Sequence, residues 1–160
     1  MAKLKHLYLN ELEKSLQANS CVATCLNDEL LKKIAGKNLA VYFYINNDTE
    51  ECNLISKDLA NFFDVFKKYN TEIIGISKDS IESHYNFKDR ENLPFELISD
   101  CNNVVSKAFK VGQDSTGIAG IKRKTFLFSS EGVLLNEWRN TDANGHAKSV
   151  LAMINSMGDF

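Results

Sequence analysis

Proline is almost absent from this chain: Pro94 stands alone in 160 residues, and the eight glycines are scattered. No linker or low-complexity stretch therefore divides the sequence, and no internal repeat is visible. Cysteine is also sparse, since four residues are too few for a disulfide scaffold. The N-terminal Met-Ala-Lys-Leu-Lys-His is basic but is not followed by an apolar run of signal-peptide length. No stretch approaches the ~18 apolar residues that a membrane-spanning helix needs. Together these absences predict a cytoplasmic protein with reduced thiols. Excess charge of one sign is missing too: 19 basic against 21 acidic residues leave a net charge of −2. A binder of phosphate backbones is usually basic, so nucleic acid is not an expected partner, and no glycine-rich phosphate loop supports nucleotide chemistry. What is present is an ordinary globular mix, 44% apolar and 25% charged, which excludes wholesale disorder. A single domain over 1–160 is expected. At this length one core removes roughly 70% of the extended chain's surface from water, so no metal or disulfide staple is needed.

Along the chain, residues 3–18 place Leu4, Leu7, Tyr8, Leu12 and Leu16 close to helical spacing. Asn27, followed by Asp28 and Glu29, starts a short helix that ends before Gly36. Residues 39–45 are a dense β-branched and aromatic run, the pattern of a strand buried on both faces. Thr49 is then placed to cap a helix, and Glu50 and Glu51 suit its first turn. From there Leu54, Ile55, Leu59, Phe62, Phe63 and Phe66 form one apolar face through about residue 68. Strand 72–77 precedes helix 79–90, and strand 95–99 precedes helix 102–110. Strands 124–129 and 133–138 flank Ser130-Glu131-Gly132, a hairpin signal, and a helix over 145–157 follows. Strands alternating with helices, then a hairpin and a helix, predict an α/β sandwich around a mixed central sheet flanked by helices. That order suits a thioredoxin-like fold.

Cys52 is the first candidate for chemistry. It falls in the first turn of a predicted helix, just after the loop that follows a central strand. Unpaired backbone N–H groups and the positive dipole end favour a thiolate there, and open α/β sheets gather their chemistry at strand carboxyl ends. Two considerations oppose this. Cysteines are commonly buried structural thiols, and the carboxylates of Glu50 and Glu51 resist a second negative charge. On these residues alone the two readings stand level. His84 on helix 79–90 and His146 at the start of the last helix read as structural, and Trp138 with Phe62, Phe63 and Phe66 reads as core.

A series of short motifs runs on from Gly36-Lys37-Asn38, Tyr42-Phe43-Tyr44 and Thr49 three residues before Cys52. It continues through Gly75-Ile76-Ser77, Asp79-Ser80, Ser83-His84, Phe87, Leu93-Pro94-Phe95 and Ser99-Asp100. Residues 120–127, Trp138-Arg139 and Gly145-His146-Ala147 complete it. Through these motifs residues 36–160 resemble a peroxiredoxin of the bacterioferritin comigratory protein, or peroxiredoxin Q, type, in a register that holds over about 125 residues. Residues 1–35 form a divergent N-terminal segment.

The resemblance implies a peroxidase that reduces hydrogen peroxide and organic hydroperoxides without metal, haem or other cofactor. Cys52 would be the peroxidatic cysteine, oxidised to a sulfenic acid. Thr49 would hydrogen-bond the peroxide, and Arg123 would stabilise both thiolate and transition state. Heterolysis of the O–O bond moves negative charge from sulfur to the leaving oxygen, and donors already aimed along that line stabilise it. Taken alone, Thr49 is a helix cap and Arg123 an ordinary solvated arginine.

Three departures from the family pattern matter. Its usual loop reads Pro-x-x-x-Thr-Pro-x-Cys, but Ile45 and Glu50 replace the prolines. Ile45 retains apolar shielding without the fixed φ. The family's common resolving cysteine lies five residues after the peroxidatic one, where this chain has Lys57. Cys25, Cys21 and Cys101 remain as candidate resolving partners. Cys21 and Cys25 share one face of a helix or strand, and their spacing disfavours zinc. The alternative to internal resolution is one-cysteine cycling, with thioredoxin, glutaredoxin/glutathione or another thiol as reductant. A monomer or weak dimer is expected. The missing prolines and acidic loop motivate a second reading, a low-turnover peroxiredoxin-like redox sensor or binding protein. A general thiol–disulfide oxidoreductase is disfavoured because Cys-x-x-Cys is absent.

Overall fold

A computed structural model describes residues 10–14, 27–47, 49–100, 103–111, 123–139 and 145–156. Cys21, Cys25 and Cys101 lie outside the described residues, as does most of the helix expected over 3–18, of which 10–14 is helical. The elements run α1 (Asn27–Ile34), β1 (Asn38–Phe43), α2 (Glu50–Asn61), α3 (Phe63–Lys68), β2 (Thr71–Ser77) and α4 (Ile81–Arg90). They continue with β3 (Glu96–Ser99), α5 (Val104–Ala108), β4 (Lys124–Phe128), β5 (Leu134–Arg139) and α6 (His146–Ser156). No helix among the described residues is long and apolar enough to cross a membrane.

The five strands form one mixed sheet in the order β3-β2-β1-β4-β5. β1 pairs in parallel with β2, and β2 with β3, whereas β4 runs antiparallel to both β1 and β5. All six residues of β1 are buried, as the apolar run requires of a central strand covered on both sides. Its alternating side chains divide the core. Leu39, Val41 and Phe43 pack with Leu30, Ile34, Val105 and Phe109 on one face. Ala40, Tyr42 and Tyr44 pack with Cys52, Ile55, Leu59, Phe66, Phe87 and Val150 on the other. The result is helix, sheet and helix in three layers, the thioredoxin-like arrangement.

Local details differ from expectation at three places. The apolar helix does not run unbroken to residue 68. It ends at Asn61, and Phe62 (φ −104°, ψ 8°) breaks it before α3. The break lets Phe63 and Phe66 reach the sheet, while Phe62 is left half-buried at the margin with Trp138. Leu54, expected on the apolar face, is 47% exposed, and Ile45, expected to shield the cysteine, is 43% exposed. Finally, β1 stops at Phe43, two residues short of the expected end, although the Tyr44 N–H still bonds to the Ile76 carbonyl at 3.1 Å.

Candidate active site

Thr49 has the extended backbone of an N-cap (φ −83°, ψ 134°), and the first bond of α2 runs from the Asn53 N–H to its carbonyl at 3.0 Å. The amides of residues 50–52 are thus those a helix leaves at its positive end. Cys52, third in α2, is a free thiol with no exposed surface, held among Tyr42, Tyr44, Ile55 and Phe87. The expected side-chain cap is not made. The Thr49 Oγ1 turns back and donates to the Asn46 carbonyl at 3.3 Å, so its hydroxyl belongs to the loop rather than to the helix. Glu50 is exposed, where water screens its charge from the sulfur.

Arg123 is brought to this end of the sheet by strand pairing. Lys124 lies opposite Phe43 in the antiparallel β1–β4 register, so the next residue of each strand puts Arg123 level with Tyr44. Its side chain is half-buried rather than free in solvent. Topology therefore gathers the start of α2 and Arg123 at the carboxyl end of β1, where parallel sheets concentrate reactive groups.

Two stacked tyrosines line the sheet beneath the sulfur, with ring centroids 5.3 Å apart. The Tyr42 hydroxyl is 2.9 Å from Ser56 Oγ, and Tyr44 donates to Asn47 Oδ1 at 2.7 Å. Burial raises both phenols above their ordinary range, and the neighbouring Cys52 adds to the rise, so both remain protonated. Tyr42 passes over Gly75 so closely that a Cβ there would lie 2.8 Å from its ring carbon and hydroxyl.

A second polar cluster, not anticipated from the sequence, ties the loop before α2 to the end of β2. Asn47 donates its backbone N–H to Asp79 Oδ2 at 3.0 Å and its amide to Ser83 Oγ at 3.0 Å. Its Nδ2 also stands 3.1 Å from His84 Nδ1, and His84 Nε2 stands 3.3 Å from Ser77 Oγ. The signal was present, since Ser77, Asp79 and Ser83 are polar residues around the carboxyl end of a buried strand. Spacing along the chain does not show that Asn47, over thirty residues earlier, completes the set. His146 is likewise buried, 2.8 Å from Thr125 Oγ1 and edge-on to Trp138, with the adjoining Ala147 N–H bonded to Asp58 Oδ2 at 2.8 Å. Burial pulls its pKa down to about 4, against the raising effect of Asp58. Among the described residues, no group of three or more His, Cys, Asp or Glu side chains is placed to hold a metal ion.

Comparison with known proteins agrees with this geometry. Residues 18–136 match the AhpC/TSA family. Peroxiredoxin Bcp of Xanthomonas campestris is 35% identical over 128 residues, which cover 78% of this chain and 80% of that protein. Peroxiredoxin Bcp of Bacillus subtilis is 33% identical over 133 residues, covering 81% and 85%. A cysteine-to-serine variant of Xanthomonas campestris peroxiredoxin Q superposes with a TM-score of 0.75 at 34% identity, covering 80% of this chain and 84% of that one. The bacterioferritin comigratory protein of the same species, solved in work on its alkyl peroxide reduction, gives 0.74 at 34% identity, covering 79% and 83%. A family match across most of the chain, and relatives above 30% identity over most of their own length, lead to one placement. The chain belongs to the AhpC/TSA family, and within it to the peroxiredoxins of the Bcp and Q type.

Proposed function

We propose that Cys52 is the peroxidatic thiol of this chain, which is a thiol-dependent peroxidase of the peroxiredoxin class. The observation that supports the assignment is a free sulfur seated in the first turn of α2, at the carboxyl end of the central strand. In the reaction the Cys52 thiolate attacks one oxygen of a hydroperoxide. A sulfur–oxygen bond forms, the O–O bond breaks, and the departing oxygen takes the electron pair and a proton to leave as water or an alcohol. Cys52 is left as a sulfenic acid. Thr49 donates a hydrogen bond to the peroxide, and Arg123 stabilises the thiolate and the charge moving onto the leaving oxygen. Hydrogen peroxide and alkyl hydroperoxides are the substrates in this reading.

Regeneration consumes two thiols. The first condenses with the sulfenic acid, releasing water and forming a disulfide, and the second reduces that disulfide. Lys57 fills the family's common resolving position and instead pairs with Glu91 at 3.2 Å. The first thiol therefore comes from Cys25, Cys21 or Cys101, or from outside. Thioredoxin, glutaredoxin or glutathione supplies the electrons, in the cytoplasm, to a monomer or weak dimer.

The test compares wild type with Cys52→Ser for peroxide consumption in the presence of thioredoxin or dithiothreitol. Turnover that disappears in the variant is expected. Mass spectrometry after one equivalent of peroxide then locates any disulfide to Cys52. A wild-type Cys52 left unmodified by peroxide defeats the assignment.

A further inference from the structure

Asn47 occupies the turn between β1 and α2 and is only 2% exposed. Its backbone N–H and both ends of its side-chain amide are engaged. The backbone N–H goes to Asp79, Oδ1 accepts from the Tyr44 hydroxyl at 2.7 Å, and Nδ2 faces both Ser83 Oγ and His84 Nδ1. An amide NH2 can only donate, so Nδ1 of His84 must accept, and the ring proton sits on Nε2. Nε2 then donates to Ser77 Oγ, whose own hydroxyl donates to Asp79 Oδ2 at 2.5 Å. With the amide in this orientation Nδ1 is an acceptor and His84 is neutral.

That condition is met at neutral pH. His84 is fully buried, and burial lowers its pKa below the ordinary histidine value, against the raising effects of Asp79 and of the backbone carbonyls of Ser77 and Ile98. The side chains facing the ring are Tyr44 beyond β1, Asn47 in the loop and Ser77 of β2, with the Asp79 carboxylate as its charged neighbour. Protonating Nδ1 would set an N–H against the Asn47 NH2. Rotating that amide would present its oxygen to Nδ1–H and reverse the bonds with Tyr44 and Ser83, so that the Tyr44 hydroxyl accepts from Nδ2 and no longer donates to Asn47.

We propose that Asn47 and His84 act together as positioning residues for Cys52. They hold the chain at Asn47 against β2 and α4, and so fix where α2 begins and where Thr49 and Cys52 point. Ile45 and Glu50 leave this loop without the two prolines that would otherwise set its backbone, and the side-chain lock takes over that task. Protonation of His84 forces this lock to rearrange. The inference rests on Cys52 being the peroxidatic thiol.

The test measures the second-order rate of Cys52 oxidation by hydrogen peroxide in wild type, Asn47→Ala, His84→Phe and His84→Asn, each confirmed folded by circular dichroism and urea titration. His84→Asn presents an amide oxygen near the place of Nδ1 and cannot titrate. At pH 7 the rate is expected to fall at least tenfold in Asn47→Ala and His84→Phe and to stay within threefold in His84→Asn. The ratio of the wild-type rate to the His84→Asn rate should be level near neutral pH and fall as acid protonates His84, the thiolate's own titration cancelling in the ratio. A purely structural role would shift the urea midpoint and leave both the folded protein's rate and this ratio unchanged, and that result overturns the proposal. The ratio needs only wild type and His84→Asn, so misfolding of the harsher variants does not remove the test. A wild type whose Cys52 is not oxidised at all overturns the peroxidase assignment, and the lock with it. That failure appears in wild type alone and is distinguishable from failure of the lock.

Discussion

At the scale of single residues, Thr49 separates two roles that sequence alone runs together. A threonine before a helix usually caps it, and loss of that bond costs about 1 kcal/mol. Here the hydroxyl bonds backward to Asn46 and caps nothing. Thr49→Val, which keeps the shape and removes the hydroxyl, should therefore change unfolding free energy by less than about 0.5 kcal/mol in urea. If the hydroxyl donates to the peroxide, the same variant should slow Cys52 oxidation by about 10²-fold, the usual effect of removing one transition-state donor, and Thr49→Ser should restore it. A stable variant with wild-type kinetics would take Thr49 out of the reaction. Gly75 gives a second residue-scale expectation. A methyl there meets Leu97 Cδ2 and the Tyr42 ring, each at 2.8 Å, and the Tyr42 hydroxyl is bonded to Ser56 on α2. Gly75→Ala should cost about 1–3 kcal/mol by overpacking, read as a lower urea midpoint.

At the scale of elements, what the sequence showed depended on whether the deciding contacts were local. The ends of β2 and α4 were readable to within two residues. An apolar β-branched run marks the strand, and Ser80 caps the helix through a 3.1 Å bond from the Ser83 N–H. The break at Phe62 was not readable, because Phe62, Phe63 and Phe66 continue the apolar pattern and nothing in their spacing marks the end of α2. Nor was the cap of α6, supplied by Asp58 of α2 from 89 residues away. This docking contact should be measurable. Asp58→Ala removes a charged acceptor from the Ala147 N–H at the positive end of α6, and should lower stability by about 1–2 kcal/mol in urea. A loss within about 0.3 kcal/mol would mean that water serves the helix end equally well.

At the scale of the whole molecule, the alternation of strands and helices was enough to recognise the layers, and Cys52 could be singled out by its place after a central strand. Arg123 could not be located that way. It stands level with Tyr44, at the carboxyl end of β1, only because β4 pairs antiparallel with β1, a long-range register that spacing does not reveal. The same long-range packing buries His146 between Thr125 and Trp138, and this sets how the fold responds to acid. Its folded pKa of about 4 lies well below the 6.5 of an exposed histidine. Between these values the unfolded chain binds a proton that the folded chain refuses, so stability rises with pH across that window. The contribution is complete above about pH 6.5, is lost as pH falls toward 4, and is level below; its size is about 3 kcal/mol. His84, whose pKa is also lowered by burial, adds a loss of the same sign. Urea unfolding at intervals from pH 7 to pH 4 should therefore show a steeper decline for wild type than for His146→Gln, which can still bond Thr125 but does not titrate. Because His84 and the carboxylates remain in both proteins, the difference between the two curves isolates His146. Parallel curves would show that its ring finds water, and hence its proton, without unfolding.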